Sequence, residues 1–234
     1  NGLLFYNPAT RQQQLFPIYN DKRKYSQNII KSTLREGEHI LCTTHNGQVF
    51  RFSTIRKTFQ LLYDYQRNDI QTLYRDSRDR LWIPTNTIAG LVVMDNNRPV
   101  PSLNISSEFP QLSPISVITE INKGQFLLGT LQNGLVFINE TTNECRNLDG
   151  KAFGFSSKDK IHITAISKDP DGKIWVSTNG AGLFCFNNNL ELLKNYNRDN
   201  GLTNECIYNL INRREEIWLT TSREIFRLNK NNGQ

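Results

Sequence analysis

Asp169-Pro170-Asp171-Gly172-Lys173-Ile174-Trp175-Val176-Ser177-Thr178 decides how this chain folds. Pro presets φ for the second position of a tight turn and Gly tolerates the fourth, so Asp-Pro-Asp-Gly reads as a turn between two strands. The apolar run that follows ends on threonine, and it has four counterparts. They are Ile40-Leu41-Cys42-Thr43-Thr44, Leu81-Trp82-Ile83-Pro84-Thr85, Phe126-Leu127-Leu128-Gly129-Thr130 and Ile217-Trp218-Leu219-Thr220-Thr221. The final threonines stand at 44, 85, 130, 178 and 221, with gaps of 41, 45, 48 and 43 residues. Such even spacing marks an internal repeat, whose modules bury their apolar faces against one another.

The flanks of the run repeat with it. Upstream lies a first strand opened by Ile30, Ile70, Ile115, Ile163 or Ile207, with Leu34, Leu73, Ile118, Ile166 or Leu210 about one turn of sequence later. A short polar link joins it to the Thr-terminated second strand, as in a hairpin. Downstream comes a loop, with glycine at Gly47, Gly90, Gly134 and Gly182. A third strand follows at Val49–Phe52, Leu91–Met94, Leu135–Ile138, Leu183–Phe186 and Ile225–Leu228. Weaker fourth strands (Phe59–Tyr63, Leu190–Leu193) complete the first four copies, and the fifth stops before one. The second strand is apolar at consecutive positions, as a strand buried on both faces should be. The fold class is therefore all-β, a β-propeller built of four-stranded antiparallel blades. Five repeats are visible, in units at 1–26 (partial), 27–67, 68–112, 113–160, 161–204 and 205–234 (partial). Leu3–Tyr6 and Gln14–Tyr19 fit third and fourth strands, so the chain is expected to be a piece of a larger array. Trp82, Trp175 and Trp218 share one slot. Each is expected to pack between neighbouring blades, its burial stabilising by roughly 3 kcal/mol.

Composition narrows the class further. At 37% hydrophobic and 21% charged over 234 residues, the chain is neither disordered nor of low complexity. Mean hydropathy is -0.53, and no apolar run approaches the ~18 residues of a membrane span. The net charge of +6 permits an acidic partner, but the basic residues are scattered and form no nucleic-acid stripe. Cys42, Cys145, Cys185 and Cys206 have no metal-ligand spacing. Cys42 and Cys185 lie in apolar runs and read as buried free thiols.

The stretch Asp169–Phe184 resembles the two-component regulator propeller repeat, roughly D-x-x-G-x-[IL]-W-[IV]-G-T-x-x-G-G-L. Asn200-Gly201-Leu202-Thr203-Asn204, with Ile207, resembles the lead-in to such a blade. The resemblance covers nearly the whole chain. The copies from Asn68 and Ile161 fit well. The copy at 40–44 has Leu41 for Trp and Thr43 for Gly, and the last copy lacks the loop glycine. The resemblance implies the periplasmic sensor region of a hybrid histidine kinase and response regulator, of the Bacteroidetes type, that detects oligosaccharides and controls polysaccharide utilisation. It also implies a homodimer in the full receptor, with the kinase outside these residues. The segment itself is not expected to contact membrane or nucleic acid.

No enzyme motif accompanies the repeat. His39, His45 and His162 form no H-E-x-x-H, there is no G-x-S-x-G, and Gly180-Ala181-Gly182 lacks the Lys-Ser/Thr of a phosphate loop. Asp169 and Asp171 read as turn residues. No catalytic residue, metal or cofactor is expected. The loops between second and third strands share one rim of a propeller, and they carry His45, Asn46, Asn86, Gln132, Asn133, Asn179 and Arg223. Neutral amides with an occasional cation suit a hydroxyl-rich ligand, so His45, Asn86, Gln132, Asn179 and Arg223 are the ligand-binding candidates. Tyr6, Tyr196 and Tyr208 can stack on a sugar, although core packing is the expectation for them. Two other readings remain: an interaction scaffold without a small ligand, and a propeller lyase or glycosidase.

Overall fold

The structure, a computed structural model, describes residues 2–21, 27, 29–66, 69–85, 90–100 and 114–233. They form two compact units, Asn1–Ser102 and Leu103–Gln234.

The first unit contains a two-stranded sheet of β1 (Leu3–Asn7) and β2 (Gln12–Phe16), followed by two four-stranded antiparallel blades. The blades are β3 (Ile30–Glu36), β4 (His39–Thr44), β5 (Gln48–Ser53) and β6 (Thr58–Asp64), then β7 (Tyr74–Arg75), β8 (Leu81–Pro84), β9 (Leu91–Asp95) and β10 (Arg98–Val100). Leu41 and Val49 of one blade pack on Ile70, Leu73, Leu81 and Ile83 of the next.

The second unit has two four-stranded blades and a three-stranded one. The first blade is β11 (Ile115–Asn122), β12 (Gln125–Thr130), β13 (Leu135–Asn139) and β14 (Glu144–Leu148). The second is β15 (Ile163–Lys168), β16 (Ile174–Thr178), β17 (Leu183–Phe186) and β18 (Leu192–Tyr196), and the last is β19 (Asn209–Asn212), β20 (Glu216–Thr220) and β21 (Ile225–Asn229). Side chains on the first strand of one blade and of the next stitch the two together. Ser116 donates to the Ile163 carbonyl at 2.6 Å, and the Lys168 ammonium donates to the Ile121 carbonyl at 3.0 Å. A 3-10 turn, Gly150–Phe153, is capped by Asp149. It drives Phe153 between the blades, edge-on to Phe184 at 4.9 Å and to Phe186 at 5.3 Å. Each such buried side chain contributes roughly 2 kcal/mol of transfer free energy, before the entropy of ordering it.

The second strands β8 and β16 are buried at every position, as their unbroken apolar runs require. Three details depart from the repeat. In the second full blade the first strand shrinks to Tyr74–Arg75, leaving Ile70 and Leu73 buried but outside it. Ile207 is likewise buried ahead of β19, and the fourth strand near Leu190 starts at Leu192. The third departure is Trp218. Trp82 and Trp175 are 0% and 2% exposed, but Trp218 is 38% exposed.

Trp218 points to the face of its strand opposite Ile217 and Leu219, which pack on the preceding blade, and no described blade covers that face. The two buried indoles, by contrast, find a partner six residues upstream. Trp82 donates its indole N–H to Asp76 at 2.8 Å, and Trp175 donates to Asp169 at 2.7 Å. The corresponding residue before Trp218 is Asn212. Its amide NH2 donates to Asp169 of the previous blade at 3.0 Å, and the exposed Trp218 indole donates to Glu216 at 3.2 Å. Asp169 is a turn residue, as its sequence implies, whose carbonyl accepts from the Gly172 amide at 3.0 Å, and its side chain does more. It is 5% exposed and takes bonds from Trp175, Asn212 and the Lys230 ammonium of β21's end. Burial opposes its charge, yet the hydrogen bonds from Lys230, Trp175 and Asn212 outweigh burial and hold its carboxyl below 3.8. Asp76 is held low in the same way, by Trp82 and Arg80 against burial. Asp171, by contrast, is an exposed turn residue.

Candidate functional site

The terminal threonines explain how the repeat builds its rim. Thr178 donates its hydroxyl to the Gly182 carbonyl at 2.8 Å and accepts from the Ala181 amide at 3.0 Å. Thr130 repeats this with the Gly134 carbonyl and the Asn133 amide, at 3.0 and 2.8 Å. A hydroxyl that both donates and accepts closes the loop over itself, which alanine or valine cannot do. The loop then presses on the end of the fourth strand. A Cβ at Gly182 (φ +86) would sit 2.1 Å from the Tyr196 carbonyl oxygen, and one at Gly134 (φ +72) would sit 2.4 Å from that of Leu148. Only glycine fits both the dihedral and the gap.

The connection to the following blade is zipped onto the same loop. The Ile161 amide donates to the Gln132 carbonyl at 3.0 Å, and the Gly134 amide donates back to Ile161 at 3.1 Å. In the next blade, Gly180 and Gly182 both donate to the Glu205 carbonyl, at 3.0 and 3.2 Å. Backbone groups are thus consumed in the frame, leaving side chains to face solvent.

Among the described residues, each unit has a cleft at the loop end of its own blades. In the first unit, Gln27, Asn46, Gln48, Asp64 and Gln66 line a space of about 600 Å³. The Gln48 side chain is held at its tip: Oε1 accepts from the Tyr19 hydroxyl at 3.2 Å, and Nε2 donates to Asp64 at 3.0 Å. In the second unit, Phe155, Asp159, Ile161, Gly180, Ala181, Asn195, Asn197 and Glu205 line about 340 Å³. Phe155 is 39% exposed there. Asn195 Oδ1 is buried and has no hydrogen-bond partner among the described residues. An exposed ring beside amides, carboxylates and an unpaired acceptor gives a surface that can stack on an apolar face and bond to hydroxyls.

Of the candidates from sequence, His45 is exposed in the first unit, its Nδ1 3.4 Å from Asp69. Asn86 lies outside the described residues. Gln132, Asn179 and Arg223 are exposed on the rim loops of the second unit. None of these four lines either cleft, but their chain neighbours do: Asn46 beside His45, and Gly180 beside Asn179. Tyr196 is buried against Trp175 with ring centroids 6.0 Å apart, whereas Tyr6 and Tyr208 are half exposed, against the expectation of core packing. The sequence reading missed Phe155 and Asn195. The signal for Phe155 was the longest gap between threonines, 130 to 178, which holds the 3-10 turn Gly150–Phe153.

Residues 157–180 match the model of the two component regulator propeller family. The segment is similar to one such repeat. It supplies Asp159, Ile161 and Gly180 to the cleft of the second unit. No match was found among curated protein sequences. Among solved structures, the chain is similar to the extracellular domain of BT3049 from B. thetaiotaomicron, assigned as a hybrid two component system. The TM-score is 0.65 at 16% identity, over 93% of this chain and 29% of that one. It is also similar to PorZ, a surface component of the type-IX secretion system of Porphyromonas gingivalis, with a TM-score of 0.57 at 10% identity over 84% and 31%. Virginiamycin B lyase from Staphylococcus aureus gives a TM-score of 0.66 at 11% identity over 90% and 70%. At these identities the shared property is the propeller fold. The chain spans under a third of the length of the first two structures.

Proposed function

We propose that this chain belongs to the extracytoplasmic sensor region of a hybrid two-component histidine kinase and response regulator, and that it binds an oligosaccharide on the loop rim. The observation that carries the reading is the overlap of the regulator propeller repeat with the walls of a cleft built as a sugar site would be. Phe155 offers a stacking face, Asn195 and Asn197 offer amides, and Asp159 and Glu205 offer acceptors for hydroxyl donors. In this reading the receptor sits in the periplasm as a homodimer, its kinase lies elsewhere in the polypeptide, and ligand shifts the population between two sensor geometries. The output is control of polysaccharide utilisation.

The test is isothermal titration of the protein with a panel of neutral and acidic oligosaccharides. A ligand of the rim loses affinity in Phe155→Ala and Asn195→Ala while the melting temperature stays within a few degrees. Arg223→Ala and Asn179→Ala test the surrounding loops in the same assay, each weakening binding without lowering the melting temperature. No binding by any member of the panel would overturn the reading. Unchanged affinity in both loop variants would confine the site to the cleft.

A further inference from the structure

On the opposite rim of the first unit, where first strands turn into second and third into fourth, lies a smaller cleft of about 200 Å³ between its two full blades. Glu36 and Arg51 reach it from one blade, Arg75 from the other, over a floor that includes Leu41 and Leu81. Glu36 bridges the two guanidiniums: Arg51 Nη2 donates to one carboxylate oxygen at 3.2 Å and Arg75 Nη2 donates to the other. Arg75 spends its Nη1 on Asp79, on the carbonyl at 2.8 Å and the carboxylate at 3.3 Å. The Nε atoms of both arginines are buried and have no hydrogen-bond partner among the described residues.

Two observations make this cleft a site. A buried donor left unpaired is destabilising, and here two such donors belong to guanidiniums of residues that line one cavity. The charges are also uneven. One carboxylate, Glu36, serves two guanidiniums, and the other acid, Asp79, is 86% exposed and screened by water. The interior of the cleft thus keeps an excess of positive charge and of planar N–H donors, which is the complement of an oxyanion. We propose that this cleft binds a small oxyanion, a carboxylate or a sulfate or phosphate group, at the free Nε of Arg51 with Arg75 beside it. Tyr63, whose hydroxyl donates to Asn97 at 3.2 Å, closes one wall. The site is separate from the loop rim and stands whether or not that rim takes a sugar.

The experiment is a titration of the ¹⁵N-labelled chain with sodium acetate, sulfate and phosphate, each against sodium chloride at equal ionic strength, following the arginine Nε–Hε signals. Saturable shifts of the Arg51 and Arg75 signals with one of these anions, and not with chloride, are expected. Acetate as the best ligand identifies a carboxylate group, and sulfate or phosphate an ester group. Arg51→Lys keeps the charge but removes the planar donors, and should weaken binding by about tenfold. Glu36→Gln removes the competing internal anion and should tighten it, a change opposite in sign to any loss from misfolding. Shifts with chloride equal to those with the oxyanions, or affinity unchanged in both variants, would overturn the proposal.

Discussion

Asp169 shows how much one side chain can hold. It is buried, charged, and bonded to groups from two blades, so removing it leaves the Lys230 ammonium buried without its partner. Asp169→Ala is expected to cost about 3 kcal/mol in urea denaturation, and Trp175→Phe, which loses only the indole donor, about 1 kcal/mol. The pH dependence follows from the same contacts. Asp76 and Asp169 ionise below 3.8 in the folded chain, whereas an unfolded carboxyl titrates near that value. Their stabilisation is complete above 3.8 and drains away as pH falls through the folded values. Asp169→Asn should accordingly show a flatter loss of stability below about pH 4 than the unsubstituted chain. Thiols give a second residue-level check. Burial pushes Cys42 up to about 12 and Cys185 to about 11. A thiol reagent at neutral pH should therefore label Cys145 and Cys206 first, and all four only in denaturant. Buried thiols were legible from the apolar runs around them. The aspartate hub was not, because Asp before Pro-Asp-Gly is also what an ordinary turn looks like, and its partners Asn212 and Lys230 lie 43 and 61 residues away.

At the scale of the strand, periodicity did most of the predictive work. Threonine recurrence located the second strands because the hydroxyls of Thr44, Thr130, Thr178 and Thr221 each close the loop that follows, a local demand that those copies share. Shared sequence slots do not guarantee shared burial, however, as the three tryptophans show. Trp82→Ala and Trp175→Ala should each cost about 3–5 kcal/mol, whereas Trp218→Ser should change stability by less than about 1 kcal/mol. Loop closure offers a separate test. Gly182→Ala must push against the Tyr196 carbonyl at a positive φ, and a loss of at least about 2 kcal/mol is expected, read as a lower urea midpoint. The shortened β7 escaped the sequence reading because Ile70 and Leu73 are buried without belonging to a ladder, and burial is all that an apolar pattern reports.

For the whole molecule, fold class was far easier to read than the clefts. A propeller repeats its core, so five weak copies reinforce one another. A cleft is made once, by a departure from the repeat such as the insertion bearing Phe155, and a single copy has no periodicity to betray it. Charge adds a global test. The net +6 is spread over the chain without a stripe, so a neutral oligosaccharide should bind almost independently of salt between low and moderate ionic strength. An acidic one should associate more slowly as salt rises, and stopped-flow kinetics would separate the two.

The Asp169 hub also bears on how such an array can evolve. Its acid and indole are encoded in one module, and the amide and amine that complete it are encoded in the next. A duplication that dropped an unrelated copy between them would strand a charge in the interior. Recombination must then move modules with their neighbours, and the unit of inheritance is longer than the structural period.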